Sequence, residues 1–308
     1  MSPIYPVVIP KAQIANSSWA AAEEFADIVL HIKNLCSNYP SILMAYSADF
    51  NSKVQAVLIA EEIINWGINV FMPDSPVPLA AASYAITVKS MPIGLYVEEV
   101  KNDDSLIRLI PISSHGGLFD VQDLKNSSIT AKSKKGVIGS TDISSIYVKH
   151  LAGFADPYIE KGLSFSSFEN PFKELNKAMS QNENLGILFE SDPKGPKAVI
   201  GNNGCLLRLE ENGTSISTEQ IAKRISKYLK EERYASGTLL VPTGMAGDFG
   251  NYGEISEIEG NDFDLIYSAA FSDLLLGWWP DGLIAMQGSS CFGDGILAAI
   301  YYLESLRV

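Results

Sequence analysis

The sequence is poor in arginine and has a deficit of positive charge. Only five of its 308 residues are arginine, and the 23 Lys and Arg residues face 36 Asp and Glu residues, which leaves a net charge of −13. Proteins that bind nucleic acids or anionic membranes neutralise phosphate groups with a basic surface. The composition therefore argues against both classes, and we expect neither a nucleic-acid partner nor a membrane partner.

The sequence also lacks the cysteine patterns and apolar segments that are typical of secreted and membrane proteins. Its three cysteines, Cys36, Cys205 and Cys291, lie far apart and form no CxxC pair, so they predict neither a disulfide framework nor a zinc site. No run of about 18 apolar residues occurs, and the first residues do not have the basic-then-apolar pattern of a signal peptide. We therefore expect a cytoplasmic protein.

The sequence does contain 46% hydrophobic residues, arranged in alternating strand and helix patterns. An apolar run at residues 41–46 predicts a strand, the spacing from 52 to 67 predicts a helix, and residues 69–72 predict a second strand. Strand, helix and strand within about 30 residues predict a parallel pair. The other elements predicted in this part are helices at 19–35 and 79–90, strands at 93–97, 107–112 and 118–121, and a turn at 113–117.

A polar, Ser- and Lys-rich segment at 126–135 is predicted to be a linker, and the alternation continues after it. Ser217 and Gln220 have the spacing of a capping box that opens a helix. The other elements predicted after the linker are helices at 142–151, 171–179 and 295–306, strands at 185–189, 238–241, 264–267 and 283–287, and a hairpin at 198–209. The alternation predicts an α/β fold.

Four stretches of the sequence, in the same order, are similar to motifs of one enzyme family. They are Ala45-Tyr-Ser-Ala-Asp-Phe-Asn-Ser52 with Asp74-Ser-Pro-Val-Pro-Leu79, Tyr147-Val-Lys-His-Leu151 with Asp156, Asn184-Leu-Gly-Ile-Leu-Phe189 through Asn203-Gly204 to Ser217-Thr-Glu-Gln-Ile221, and Gly293-Asp-Gly-Ile-Leu-Ala-Ala299 with Leu303-Glu304. The chain resembles the α-D-phosphohexomutases, the phosphoglucomutase/phosphomannomutase superfamily. The resemblance implies three consecutive α/β domains of mixed sheets flanked by helices, at 1–130, 131–232 and 233–308. It also implies an abridged second domain and the absence of the family's fourth domain.

The resemblance implies a reaction, and several positions of this chain depart from it. The family transfers a phosphoryl group between two positions of a sugar through a phosphorylated serine, and that position falls on Val100, which has no oxygen to phosphorylate. Glu98 and Glu99 beside it would repel a phosphosugar. Asp49 and Asp264 stand where the family has two cations that face phosphate. We therefore predict no catalytic residue. The sequence at 113–115 is similar to the missing serine motif, but we interpret it as a turn.

The family's metal loop and sugar loop are also altered. Glu190 and Asp192 are the remaining candidate ligands for Mg²⁺, and Lys194 stands where the third carboxylate belongs. We expect no cofactor, and Mg²⁺ only if the chain is an active mutase. The sugar loop falls on residues 277–282, where the candidate substrate-binding residues are Trp278, Trp279 and Asp281. Indole rings of this kind stack on a sugar, or they cover a core or an interface.

These departures favour a non-catalytic protein with a binding, scaffolding or regulatory role, because they remove the positioning and the electrostatics that supply the rate. Two alternatives stay open. One is an active phosphosugar mutase that uses substituted residues or a partner's domain, and the other is a module that binds a sugar or a sugar phosphate. We also expect the region of Trp278 and Trp279 to be buried in a homodimer or against a protein partner, unless the indoles complete the core.

Overall fold

The computed structural model describes residues 7–11, 41–100, 103–118, 134–156, 164–189 and 192–307. The chain divides into two compact units, Met1–Ile143 and Ser144–Val308. The helix predicted at 19–35 lies outside the described residues, as do most of the linker predicted at 126–135 and of the strand predicted at 118–121. The division into three domains stays a prediction.

The described part of the first unit is built on a six-stranded mixed sheet. Its elements are β1 (Val7–Pro10), β2 (Ser41–Tyr46), α1 (Ser52–Asn65), β3 (Asn69–Met72), α2 (Leu79–Val88), β4 (Ile93–Val100), β5 (Asp103–Ser113) and β6 (Ile138–Ser140). The strand order is β1-β5-β4-β2-β3-β6. Strands β4, β2, β3 and β6 are parallel, whereas β5 is antiparallel to both of its neighbours. The predicted parallel pair of β2 and β3 is therefore confirmed.

Burial explains the parallel core of this sheet. All residues of β2 from Ile42 to Tyr46 are buried, as is typical of a strand covered on both faces. Helix α1 buries residues at helical spacing, among them Ala56, Ile59 and Ile63. The helix ends before Gly67, whose φ of 79° is the left-handed conformation that glycine adopts at helix ends.

The second unit holds two four-stranded mixed sheets in its described residues. Its elements are α3 (Ser144–Phe154), β7 (Ser167–Glu169), α4 (Lys173–Ser180), β8 (Lys197–Ile200), β9 (Leu207–Glu211), β10 (Thr214–Ile216), α5 (Thr218–Glu231), β11 (Thr238–Pro242), β12 (Glu254–Ile258), α6 (Asp262–Phe271), β13 (Leu274–Trp279), β14 (Leu283–Met286) and α7 (Gly295–Ser305). The strand orders are β10-β9-β8-β7 and β12-β11-β13-β14. None of the helices in the described ranges is long and apolar enough to cross a membrane.

Two local predictions in this unit are confirmed. The Ser217 side chain accepts a hydrogen bond from the Gln220 amide at 3.2 Å, and the Gln220 side chain accepts one from the Ser217 amide at 3.1 Å, so the capping box opens α5. Strands β8 and β9 form the predicted antiparallel hairpin, with Ala198 opposite Leu209.

Two predicted strands are wrong. Residues Gly186–Phe189 form a 3₁₀ helix. Just before it, the Asn182 side-chain oxygen accepts a hydrogen bond from the Asn184 amide at 3.0 Å, and the Asn182 carbonyl accepts one from the Gly186 amide at 2.8 Å. Residues 264–267 belong to helix α6, where Asn261 and Asp264 exchange side-chain to backbone hydrogen bonds at its start. Both segments are short apolar runs, and periodicity does not separate a strand from a helix over four residues.

Candidate functional site

The carboxyl edge of the parallel strands in the first sheet is the place where α/β sheets bind ligands. Strand β2 lies between β3 and β4 in the sheet. The connection from β2 runs through α1 to β3 on one side of β2, whereas β4 pairs with β2 on its other side. The loops that follow β2 and β4 therefore diverge, and such a point opens a crevice in sheets of this type. The residues after these two strands are Ser47 to Asn51 and the end of β4.

The loop after β2 is held by bonds between its own polar groups. The Ser47 hydroxyl donates to Asp49 Oδ2 at 2.5 Å and lies 2.9 Å from the Ser52 hydroxyl. Asp49 Oδ2 also accepts from the Glu99 amide at 3.4 Å, and the Ser47 amide donates to the Val97 carbonyl at 2.9 Å. These bonds tie the β2 loop to strand β4 across the crevice.

Two carboxylates at the end of β4 are held by cations and amides. Glu99 Oε1 accepts from Asn51 Nδ2 at 2.7 Å and from Lys11 Nζ at 2.9 Å. Partial burial alone would raise the pKa of the Glu99 carboxyl, but the bonds from Lys11 and Asn51 hold it below its usual value. Because its pKa is lowered, the Glu99 carboxyl is ionised at neutral pH. The neighbouring Glu98 is buried and pairs with Arg108 Nη1 at 2.8 Å.

The loop after β3 belongs to the same edge. Asp74 accepts from the Ser140 hydroxyl at 2.9 Å through its side chain, and its carbonyl accepts from Lys53 Nζ at 2.8 Å. The Tyr46 hydroxyl donates to the Pro73 carbonyl at 3.2 Å. Burial, with a further contribution from Asp74, raises the pKa of Tyr46 to about 12, so that hydroxyl stays neutral. The polar side chains of this edge mainly fix three loops to one another.

Val100 is the last residue of β4, and the structure places it in a hairpin. It pairs with Asp103 of β5 after a bulge between Glu99 and Val100. Residues 101 and 102 lie outside the described residues. The position that the resemblance assigns to the phosphorylated serine is therefore the end of an antiparallel strand pair, with an aliphatic side chain.

Of the two candidate metal ligands, the structure describes only Asp192, and Glu190 lies outside the described residues. Asp192 Oδ1 accepts from the Lys194 amide at 2.9 Å, and its carbonyl accepts from the Gly195 amide at 2.9 Å. Its carboxylate thus closes its own turn. Over the ranges that are described, no three His, Cys, Asp or Glu side chains are grouped to hold a metal ion. The expectation that Glu190 and Asp192 form no Mg²⁺ site therefore stays a prediction.

The candidate substrate residues lie on and directly after β13. Trp278 is only 1% exposed, and its ring stacks on that of Phe249 at a centroid distance of 5.9 Å. Its indole nitrogen has no hydrogen-bond partner among the described residues. The next residue, Trp279, is partly exposed, and Asp281 accepts from the Leu283 amide at 3.3 Å in the turn that follows. The placement of Trp278 corresponds to the alternative in which the indole completes the core.

Sequence reasoning missed a buried polar cluster at the start of α7. Asp294 Oδ1 accepts from the Leu297 amide at 2.9 Å and thereby caps the helix. Its Oδ2 accepts from the Tyr147 hydroxyl at 2.6 Å and from the Ser289 hydroxyl at 3.0 Å. Burial raises the pKa of Asp294, and the bonds from Leu297, Tyr147 and Ser289 oppose that effect. Tyr147 and Asp294 belong to two of the stretches that carry the family resemblance, but nothing in either stretch predicts their contact.

His150 lies beside this cluster and gives a testable pH dependence. Burial lowers its pKa, although the Asp294 charge and a bond to the Gly288 carbonyl oppose the shift. A folded-state pKa below the unfolded value of 6.5 contributes stability that is present above pH 6.5 and lost as the pH falls through the folded-state pKa. We therefore expect wild type to lose stability relative to His150→Gln as the pH falls from about 7.5 to 5.

Urea unfolding of both proteins at several pH values measures this difference. The pKa of Asp294 is raised, so its contribution falls as the pH rises, but both proteins contain it and the comparison largely cancels it. Replacing the exposed His115 by Gln is the matched control for the His-to-Gln substitution itself. Parallel profiles for wild type and His150→Gln would contradict the prediction.

No family model matches the sequence, and no curated protein matches it either. Solved structures do match. A proposed phosphomannomutase from Thermus thermophilus superposes with a TM-score of 0.70 at 14% identity, over 92% of this chain and 77% of that one. A phosphoglucomutase/phosphomannomutase family protein from Burkholderia thailandensis gives 0.70 at 13% identity, over 99% and 76%. The Paramecium phosphoprotein pp63/parafusin, a phosphoglucomutase in its open form, gives 0.65 at 12% identity, over 97% and 72%.

These comparisons establish the fold. The expected α/β architecture, with three mixed sheets flanked by helices, is confirmed, and it is the architecture of phosphohexomutase structures. Identities of 12–14% carry no information on activity, because one fold serves many functions. The chain spans about three quarters of the length of these three proteins.

Proposed function

We propose that this chain is a non-catalytic protein of the phosphohexomutase fold that acts by binding another molecule. The observation that carries the proposal is the pairing of β4 with β5 up to Val100, at the position where the resemblance puts the phosphorylated serine. Phosphoryl transfer through the protein needs an oxygen nucleophile held in line with the phosphorus. A valine that pairs with Asp103 at the end of β4 supplies no such oxygen.

The charges of the carboxyl edge support the same proposal. Asp49, Glu98 and Glu99 lie around this position, and Lys11 and Arg108 are each already paired with one of the glutamates. The transition state of phosphoryl transfer needs cations or N–H donors that face its oxygens. Carboxylates that are fixed in the crevice oppose a phosphate group, so the edge favours a ligand without one.

Enzyme assays test the proposal directly. With Mg²⁺ and glucose 1-phosphate or mannose 1-phosphate, we expect turnover at least a thousandfold below the ~1–10³ s⁻¹ of ordinary enzymes. The variant Val100→Ser is expected to stay equally inactive, because Asp49, Glu98 and Glu99 remain in place. A known phosphoglucomutase in the same assay is the positive control.

Intact-mass measurement after incubation with glucose 1,6-bisphosphate separates the alternatives. We expect no mass gain in wild type or in Val100→Ser. Turnover in wild type, or the gain of one phosphoryl group, would establish the active mutase instead. A rise in melting temperature with a sugar phosphate but without turnover would favour the sugar-binding module over a protein-binding role.

A further inference from the structure

The acidic residues are distributed unevenly along the chain. Between Arg233 and Arg307 the sequence contains ten Asp and Glu residues and no Lys, Arg or His. About a quarter of the chain therefore carries most of the net charge of −13. This segment forms the sheet β12-β11-β13-β14 with α6 and α7.

Four of these acids lie on the edge strand β12 or directly after it. Glu254 and Glu257 are exposed on β12, and Glu259 and Asp262 are exposed directly after it. The described ion pairs of the second unit join other carboxylates, such as Glu219 with Lys223 and Glu231 with Lys227. Within the described residues, no ion pair joins a lysine or arginine to Glu254, Glu257, Glu259 or Asp262.

Strand β12 is the last strand of its sheet and pairs with β11 alone among the described strands. The Ile258 carbonyl accepts from the Thr243 amide at 3.1 Å, so Ile258 directs its backbone towards β11. In a parallel pair, every second residue directs its backbone groups towards the same neighbour. The amides and carbonyls of Ile255 and Glu257 therefore face away from β11, along the open edge.

We propose that β12 is a docking edge for a basic, extended segment of a partner protein, which adds to the sheet as a fifth strand. Added strands gain affinity from main-chain hydrogen bonds and specificity from side chains next to the edge. Here the open groups of Ile255 and Glu257 supply the main-chain bonds, and the four exposed carboxylates select lysine and arginine. This surface is separate from the carboxyl edge of the first sheet, and the proposal does not depend on the absence of catalysis.

The charge argues against two other roles for this edge. Pairing of β12 with β12 of a second copy would bring Glu254 and Glu257 of both copies together, and like charges opposite each other destabilise a strand pair. Charged side chains on an edge strand also protect sheets against aggregation. A purely protective edge predicts no saturable binding of a basic strand, which makes the two roles separable.

The test uses the full chain and a labelled peptide, Lys-Ile-Lys-Arg-Ile-Lys. Fluorescence anisotropy should show saturable binding that weakens as salt is raised. Two further peptides of the same sequence carry N-methyl groups at alternate residues, and each keeps the charge but loses the main-chain donors on one side of the strand. We expect the peptide that is methylated on the side facing β12 to bind at least tenfold more weakly than the unmethylated peptide. A peptide in which Glu replaces every Lys and Arg should not bind.

Two double variants with the same change in net charge locate the site. We expect Glu254→Gln/Glu257→Gln to weaken peptide binding about fivefold. The amide side chain introduced by Glu257→Gln would keep a carbonyl oxygen that accepts from the Gly244 amide, so the loop after β11 stays bonded. The control Glu174→Gln/Glu183→Gln removes two exposed acids near α4, away from this strand, and should change binding less than twofold.

Hydrogen exchange of the complex gives an independent measurement. The amides of Ile255 and Glu257 should exchange at least tenfold more slowly when the peptide is bound, because they become donors to the added strand. Equal binding of all methylated and unmethylated peptides, equal loss in both double variants, or the absence of saturable binding would overturn the proposal. Each of those results would leave only charge attraction, or only the protective role of the edge.

Discussion

Replacing Glu304 by alanine is expected to lower the free energy of unfolding by about 3–5 kcal/mol, because the Tyr228 hydroxyl and the Asp156 amide lose the buried carboxylate to which they donate. Glu304 lies on α7 and is fully buried. Its Oε2 accepts from the Tyr228 hydroxyl at 2.7 Å and from Arg233 Nη2 at 3.1 Å, and its Oε1 accepts from the Asp156 amide at 2.6 Å. The carboxylate thus joins three segments that lie far apart in the sequence.

The consequences extend to the partners of Glu304. Arg233 also donates to the Phe154 carbonyl at 2.7 Å and to the Tyr228 hydroxyl at 2.9 Å, so it stays in place when the carboxylate is removed. Burial, followed by the nearby Glu304 charge, raises the pKa of Tyr228, which keeps its hydroxyl protonated as the donor. The Asp156 amide would lose its acceptor as well.

Urea unfolding of Glu304→Ala and of Glu231→Ala provides a matched comparison. Glu231 is exposed and forms a 3.8 Å helix pair with Lys227, so its replacement should cost less than about 1 kcal/mol. The double variant Arg233→Met/Glu304→Met should lose less than the sum of the two single variants, since it removes both charges together. A value for Glu304→Ala within about 1 kcal/mol of wild type would contradict the assignment of a stabilising buried cluster.

Much of the fold is predictable from the sequence because it depends on local patterns. The β2–α1–β3 unit follows from apolar runs separated by one helical segment, and α5 follows from the Ser217–Gln220 capping box. The two wrong strands, at 185–189 and 264–267, are cases in which a nearby asparagine decides between helix and strand. Asn261 with Asp264 is itself a capping pair, and this signal could have predicted α6.

The site is less predictable, because its contacts join residues that are distant in sequence. The acidic pair Glu98 and Glu99 is visible in the sequence, but Lys11 and Arg108, their partners, are identified only by the pairing of β5 with β1 and β4. The same is true of Tyr147 and Asp294, which are 147 residues apart. Local spacing predicts which side chains could do chemistry, whereas tertiary packing decides which charges are already neutralised.

The two neighbouring indoles of β13 are expected to respond very differently to the same substitution. Trp278 and Trp279 are adjacent in a strand, so their side chains point to opposite faces of the sheet. Trp278 is buried against the ring of Phe249. Lys223 Nζ lies over the same Phe249 ring, 5.6 Å from its centroid. Trp278→Ala should therefore cost about 3–5 kcal/mol of unfolding free energy, as is usual when a large buried ring is removed.

Trp279→Ala is the matched control for stability and the test of the predicted interface. Because Trp279 is partly exposed, its removal should cost less than about 1.5 kcal/mol. If this region is buried in a homodimer or against a partner, Trp279 is the indole that is available to the interface, and Trp279→Ala should weaken association while Trp278→Phe leaves it unchanged. Light scattering at tens of micromolar measures self-association, and urea unfolding measures stability in parallel. A monomeric wild type that binds no partner protein, with both alanine variants only destabilised, would show that the two indoles serve the core alone.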